Sequence, residues 1–158
     1  YAVELPQVYG NAFEIYMTVD VQDSTSFGIK VCCSPDREEQ TIIEFFPARS
    51  ELVIDLDRST LDSSVKYYYY TMFFRQGQRN PQVTRQIAPL NLRSNERLDL
   101  RIFVDKSIIE IFANNRQCMT QRVYPSRRDS SHIEIFCTGA QTKIERLSFW
   151  RMAASNPW

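Results

Sequence analysis

The run from Leu98 to Pro125, LDLRIFVDKSIIEIFANNRQCMTQRVYP, constrains this chain more than any other stretch. It reads as three short consecutive β-strands joined by tight turns. Asp105-Lys106-Ser107 and Asn114-Asn115-Arg116 supply the turns, because Asp and Asn side chains bond back to their own backbone and tolerate left-handed dihedrals. Between them lie β-branched and aromatic residues: Ile102, Phe103 and Val104, then Ile108, Ile109, Ile111 and Phe112, then Val123 and Tyr124. The first two strands carry apolar residues at adjacent positions, so both of their faces hold apolar side chains. Strand pairing satisfies the edges. A second layer must cover one face, and something further is needed for the other.

The flanking segments repeat the pattern. Tyr1 to Asn11 is a lead-in broken by Pro6 and Gly10. Phe13, Ile15, Met17, Val19 and Val21 alternate with polar residues, the signature of a half-buried strand. Phe27, Ile29, Val31 and Cys33 do the same, and the polar loop Ser34 to Glu39 follows. Thr41 to Phe46 and Glu51 to Asp57 form a further pair. Val65 to Phe74 reads as a strand running into an exposed loop, and Val83 to Ile87 as an edge strand stopped by Pro89. Ser131 to Cys137 and Lys143 to Met152 close the domain, with Leu147 and Phe149 on one face and Trp150 and Met152 on the other. About eleven strands with no persistent helical period predict one all-β domain, residues 1–158, built as a two-sheet antiparallel β-sandwich.

The totals exclude several partners. Nineteen basic residues against nineteen acidic ones leave no basic excess for nucleic acid or an anionic membrane. No apolar stretch is long enough to span a bilayer as a helix. Cys32, Cys33, Cys118 and Cys137 lack zinc or redox spacing and read as buried free thiols. A start at Tyr1 in place of Met predicts a chain processed or excised from something longer, which leaves the compartment unknown.

Arg101-Ile-Phe-Val-Asp-Lys-Ser-Ile-Ile-Glu-Ile-Phe-Ala-Asn114 and Arg122-Val-Tyr-Pro125 together resemble the C-terminal β-sandwich of glycoside hydrolase family 32, the invertases, inulinases and levanases. Phe27 to Val31, Ile87 to Leu90 and Leu147 to Trp150 agree with it. The resemblance implies a jelly-roll-like sandwich of the concanavalin A-like lectin/glucanase type. It also implies a partner, the N-terminal catalytic β-propeller of the same polypeptide, which holds the family's catalytic carboxylates in Asn-Asp-Pro, Arg-Asp-Pro and Glu-Cys motifs. None of these occurs here. The resemblance allows a homodimer through the sandwich, and by analogy favours a secreted or periplasmic location, although unpaired cysteines and a missing N-glycosylation acceptor leave the cytoplasm open. No cofactor or metal is implied.

Other chemistries fail on residue types. The sole histidine, His132, opens a strand with no nucleophile elbow to serve, and four isolated glycines make no phosphate cradle. Glycoside hydrolysis needs two carboxyl groups facing across a scissile bond. The acids here, Glu44, Asp55, Asp99, Glu134 and Glu145 among them, mostly alternate with apolar residues as on a solvated sheet face. Asp105 and Glu110 read as a turn cap and a rim charge. The resemblance thus implies a non-catalytic accessory domain of a β-fructosidase that stabilises the propeller, and the two-sided apolar strands set Phe103, Ile108, Phe112 and Trp150 as the expected domain interface. The alternative is a fructan-binding module, with Tyr67, Tyr69, Arg75 and Arg79 as a shallow sugar site, since flat aromatic faces stack on sugar rings and Arg bonds hydroxyls. Only alternate tyrosines of the Tyr67–Tyr70 run could face a ligand.

Overall fold

The computed structural model describes residues 1–67, 83–140 and 142–153. These hold eleven strands: β1 (Ala2–Tyr9), β2 (Ala12–Asp20), β3 (Ser24–Cys33), β4 (Thr41–Phe46), β5 (Glu51–Asp55), β6 (Arg85–Pro89), β7 (Leu98–Asp105), β8 (Ile108–Ala113), β9 (Gln117–Arg122), β10 (His132–Gly139) and β11 (Lys143–Arg151). One 3-10 turn, Pro47–Arg49, links β4 to β5. All pairings are antiparallel, in a six-stranded sheet of order β1-β10-β3-β4-β5-β6 and a five-stranded sheet of order β11-β2-β7-β8-β9. The expected two-sheet sandwich is the fold.

Period-two alternation builds the core. Phe13, Ile15, Met17 and Val19 of β2 are fully buried, as are Leu98, Ile102 and Val104 of β7 and Ile109, Ile111 and Ala113 of β8. They pack with Phe27, Ile29, Val31, Ile43, Phe45, Leu52 and Ile54 of the other sheet in one cluster. Burial of this many large side chains, each contributing roughly 1.5–3 kcal/mol, is the main force holding the sheets together. The two tight turns lie where the sequence places them. Lys106 takes the left-handed conformation in the first (φ 53°), not Asp105, and Asn114 and Asn115 both take it in the second (φ 49° and 51°). Side-chain bonds back to the backbone are a reason for Asn to accept that cost.

Three expectations need correction. Tyr1 to Asn11 is no mere lead-in: Ala2–Tyr9 forms β1 and pairs with β10, its register slipping between Glu4 and Tyr9. Pro6 is tolerated because β1 is an edge strand, where a missing N–H costs little. Cys32 and Cys33 are buried as expected, Cys32 bulging the strand end with a φ of 51°, but Cys118 is exposed on β9 and Cys137 only half-buried. Finally, Val65, Lys66 and Tyr67 are not strand, and the rest of the expected strand through Phe74 lies outside the described residues.

Gly28 marks a close approach. A Cβ there would lie 2.4 Å from Phe136 Cζ and 2.7 Å from the Ile43 carbonyl oxygen, because the Phe136 ring folds over β3 with Lys30 Nζ 5.2 Å from its centroid. Gly28→Ala is expected to lose about 1–3 kcal/mol of unfolding free energy by overpacking. Urea denaturation checks this, and wild-type stability in the variant would show that the ring yields freely.

Candidate functional site

The outer face of the five-stranded sheet carries Tyr16, Phe103, Phe112 and Trp150. Strand register sets them in rows. Trp150, Glu14, Phe103, Glu110 and Thr120 lie side by side, and Ser148, Tyr16, Arg101, Phe112 and Cys118 form the next row. Phe103, Ile108, Phe112 and Trp150 thus share one face, with Phe112 and Trp150 exposed by 40% and 45%. Phe103 and Phe112 meet edge to face, centroids 6.0 Å apart at 88°, the arrangement that ring quadrupoles favour. Between the rows runs a shallow groove of about 650 Å³, lined by Tyr16, Phe103, Phe112, Trp150, Arg101 and Arg146 among others.

Several of the charges around these rings have partners, although Arg146 and Glu110 have no ion pair among the described residues. Arg101 Nε donates to Glu14 Oε1 at 2.6 Å while its guanidinium lies 5.5 Å from the Phe103 ring. Arg146 sits 4.9 Å over Tyr16. Asp99 Oδ1 accepts from the Thr18 hydroxyl at 2.6 Å and the Tyr16 hydroxyl at 3.4 Å. At the groove's end, Asn114 Oδ1 accepts from the Asp99 amide and its Nδ2 donates to the Arg97 carbonyl. Arg116 grips both oxygens of Glu96, at 2.6 and 3.0 Å, and pulls its carboxyl down to about 2. The second turn is thereby fastened to the connection ahead of β7, which makes the rim rigid. The face is therefore a mosaic of rings in a lattice of mostly paired charge, not the continuous apolar surface that the sequence suggests. Polar groups on it are mostly satisfied, so an opposing surface could cover them at low cost.

Of the expected sugar-site residues, only Tyr67 lies among the described ones. Tyr67 is 7% exposed: its ring stacks on Tyr124 at 6.1 Å, and its hydroxyl accepts from Ser59 Oγ at 2.9 Å and from the Tyr124 amide. That ring is used up in packing and cannot serve as a sugar platform. Tyr69, Arg75, Arg79 and Trp158 lie outside the described residues. His132 begins β10 and its Nδ1 lies 2.8 Å from Glu4 Oε1. No group of three or more His, Cys, Asp or Glu suited to a metal occurs among the described residues. No helix among them is long and apolar enough to cross a membrane.

Sequence reasoning missed Glu39, read there as part of a polar loop. Its carboxylate is fully buried and accepts five hydrogen bonds: from the Leu61 amide, the Ser126 amide and hydroxyl, the Arg127 amide and the Ser130 hydroxyl. It thus clasps three loops at one end of the sandwich. No local signal could have exposed it, since its partners stand 22 to 91 residues away.

Fold and face together define the class: a two-sheet antiparallel β-sandwich with an aromatic patch on one outer side. The family profile described as glycosyl hydrolases family 32 C terminal matches residues 3–151, and the chain belongs to that family. Among curated relatives it is 31% identical over 132 residues to beta-fructofuranosidase 1 of Zea mays, covering 80% of this chain and 18% of that protein. It is 31% identical over 136 residues to fructan 6-exohydrolase of Beta vulgaris, covering 80% of this chain and 20% of that one. The chain thus spans about a fifth of the length of these relatives. Among solved structures, exo-inulinase from Aspergillus awamori superposes with a TM-score of 0.75 at 21% identity over 98% of this chain and 29% of that chain, a likeness of fold.

Proposed function

We propose that this chain is the non-catalytic accessory sandwich of a β-fructosidase, and that it stabilises the catalytic propeller of the same polypeptide through the outer face of the five-stranded sheet. The observation that carries this reading is the gathering of Phe103, Ile108, Phe112 and Trp150 on one face of a sheet whose other face already fills the core. Aromatic anchors amid paired arginines are what protein interfaces are enriched in. The relatives' names, beta-fructofuranosidase and fructan exohydrolase, support the activity of the whole. Sugar capture by the sandwich has less behind it, because Tyr67 is withdrawn into the fold. The test compares melts of the longer polypeptide with and without residues 1–158. The propeller is expected to melt several degrees lower once the sandwich is removed, about what a loss of 1–2 kcal/mol gives in a large domain. An unchanged propeller midpoint would refute the stabilising role.

A further inference from the structure

A second surface lies at the opposite side of β11. Where the two sheets' edges meet, β1 and β11 leave a seam of about 330 Å³, lined by Val3, Leu5, Phe27, Ile135, Ile144 and Leu147. Val3 stands opposite Ile135 in the ladder and shares its inward side, yet Ile135 is 6% exposed and Val3 63%. The difference says that no strand of the five-stranded sheet faces β1 at this edge. Ile144 and Leu147 are likewise exposed. Apolar side chains aimed at an interior that is not closed are costly in water and mark a surface built to be covered.

One further observation says what covers it. The direction of β1 points to the source. Tyr1 exchanges hydrogen bonds with Cys137, its amine donating to the Cys137 carbonyl and its carbonyl accepting from the Cys137 amide, both at 2.9 Å. Residues ahead of Tyr1 would run on antiparallel to β10, beside Thr138 and Gly139, toward the corner that leads into Ile144. In a C-terminal family domain that matches only about a fifth of its relatives' length, polypeptide from the larger part arrives by this route.

We infer that the segment immediately preceding Tyr1 in the longer polypeptide packs into this seam, placing apolar side chains over Val3 and Leu147. The inference rests on the accessory-domain reading and extends it. The catalytic part then holds β11 from both sides, through the groove at Trp150 and Arg146 and through the seam at Ile144 and Leu147.

Thiol labelling tests it. In a Cys118→Ser background, native Cys137 in the seam, Leu147→Cys and Phe112→Cys are each labelled with a maleimide, in the isolated 158-residue chain and in the longer polypeptide. Cys137 and Leu147→Cys should react at least about tenfold more slowly in the longer polypeptide, as expected for sites freed only by local opening. Equal rates at both seam positions with Phe112→Cys protected overturn the seam alone. Equal rates at all three positions overturn the accessory-face reading as well. Protection that appears already in the isolated chain and grows with its concentration assigns the seam to a second copy and also overturns the proposal. Native Cys137 keeps the test decisive if Leu147→Cys fails to fold.

Discussion

Glu39→Ala is expected to lower the unfolding free energy of the isolated chain by about 3–5 kcal/mol, a large share of what a single domain has. The carboxylate is buried and takes five hydrogen bonds from two other loops. Truncation leaves three backbone amides and two serine hydroxyls facing one another across a small void. Each stranded donor costs roughly 1–3 kcal/mol unless water enters to satisfy it, so the range assumes that most are partly rescued. Glu39→Gln should fare little better, since its amide nitrogen turns a donor toward donors. Urea titration with an unchanged m-value reads the loss, and a midpoint equal to wild type would show that the clasp holds nothing.

The same residue shapes the acid limb of stability. Burial pushes the Glu39 carboxyl up, but the Ser126 and Ser130 hydroxyls and the surrounding amides outweigh it and hold the group below its ordinary 4.5. A depressed carboxyl binds its proton more readily in the unfolded chain. Its stabilisation is therefore complete above about pH 4.5 and is lost as pH falls through the folded value. Asp36, hydrogen-bonded by Ser34 and Arg127, and Glu96, held by Arg116, act with the same sign. Melting temperatures should fall below about pH 4.5 in the wild type, and the fall should be shallower, not absent, in Glu39→Gln.

The second large effect concerns the aromatic face. Phe112→Asp combined with Trp150→Asp should cost the longer polypeptide about 2–4 kcal/mol of coupling between its parts, while the isolated chain changes by about 1 kcal/mol or less. The asymmetry follows from exposure. Phe112 and Trp150 are nearly half open in the sandwich itself, so what they lose there is little beyond the edge-to-face contact with Phe103. Against an opposing surface each aspartate must be desolvated; Arg101 already serves Glu14, and Arg146, which lines the same groove, offsets only part of that cost. Differential scanning calorimetry of both forms gives the comparison. Equal losses in the two would mean that these rings matter only to the sandwich.

Local alternation determined most of the architecture. The alternate residues from Phe13 to Val19 and from Phe27 to Val31 fall on the core side where period-two patterning places them, and the Asn114-Asn115 turn lies where its side chains predict. Neighbouring residues carry that information, because a strand's two faces are set by backbone pleat alone. What the tertiary structure alone decided depends on groups remote in sequence. It made an edge strand of Ala2–Tyr9 by offering β10 as a partner, and it turned Tyr67 inward against Tyr124. It also made a buried clasp of Glu39, because donors from Leu61, Ser126, Arg127 and Ser130 converge on it. A charged residue can be buried only where its full complement of partners assembles, and that assembly exists only once the two sheets have closed.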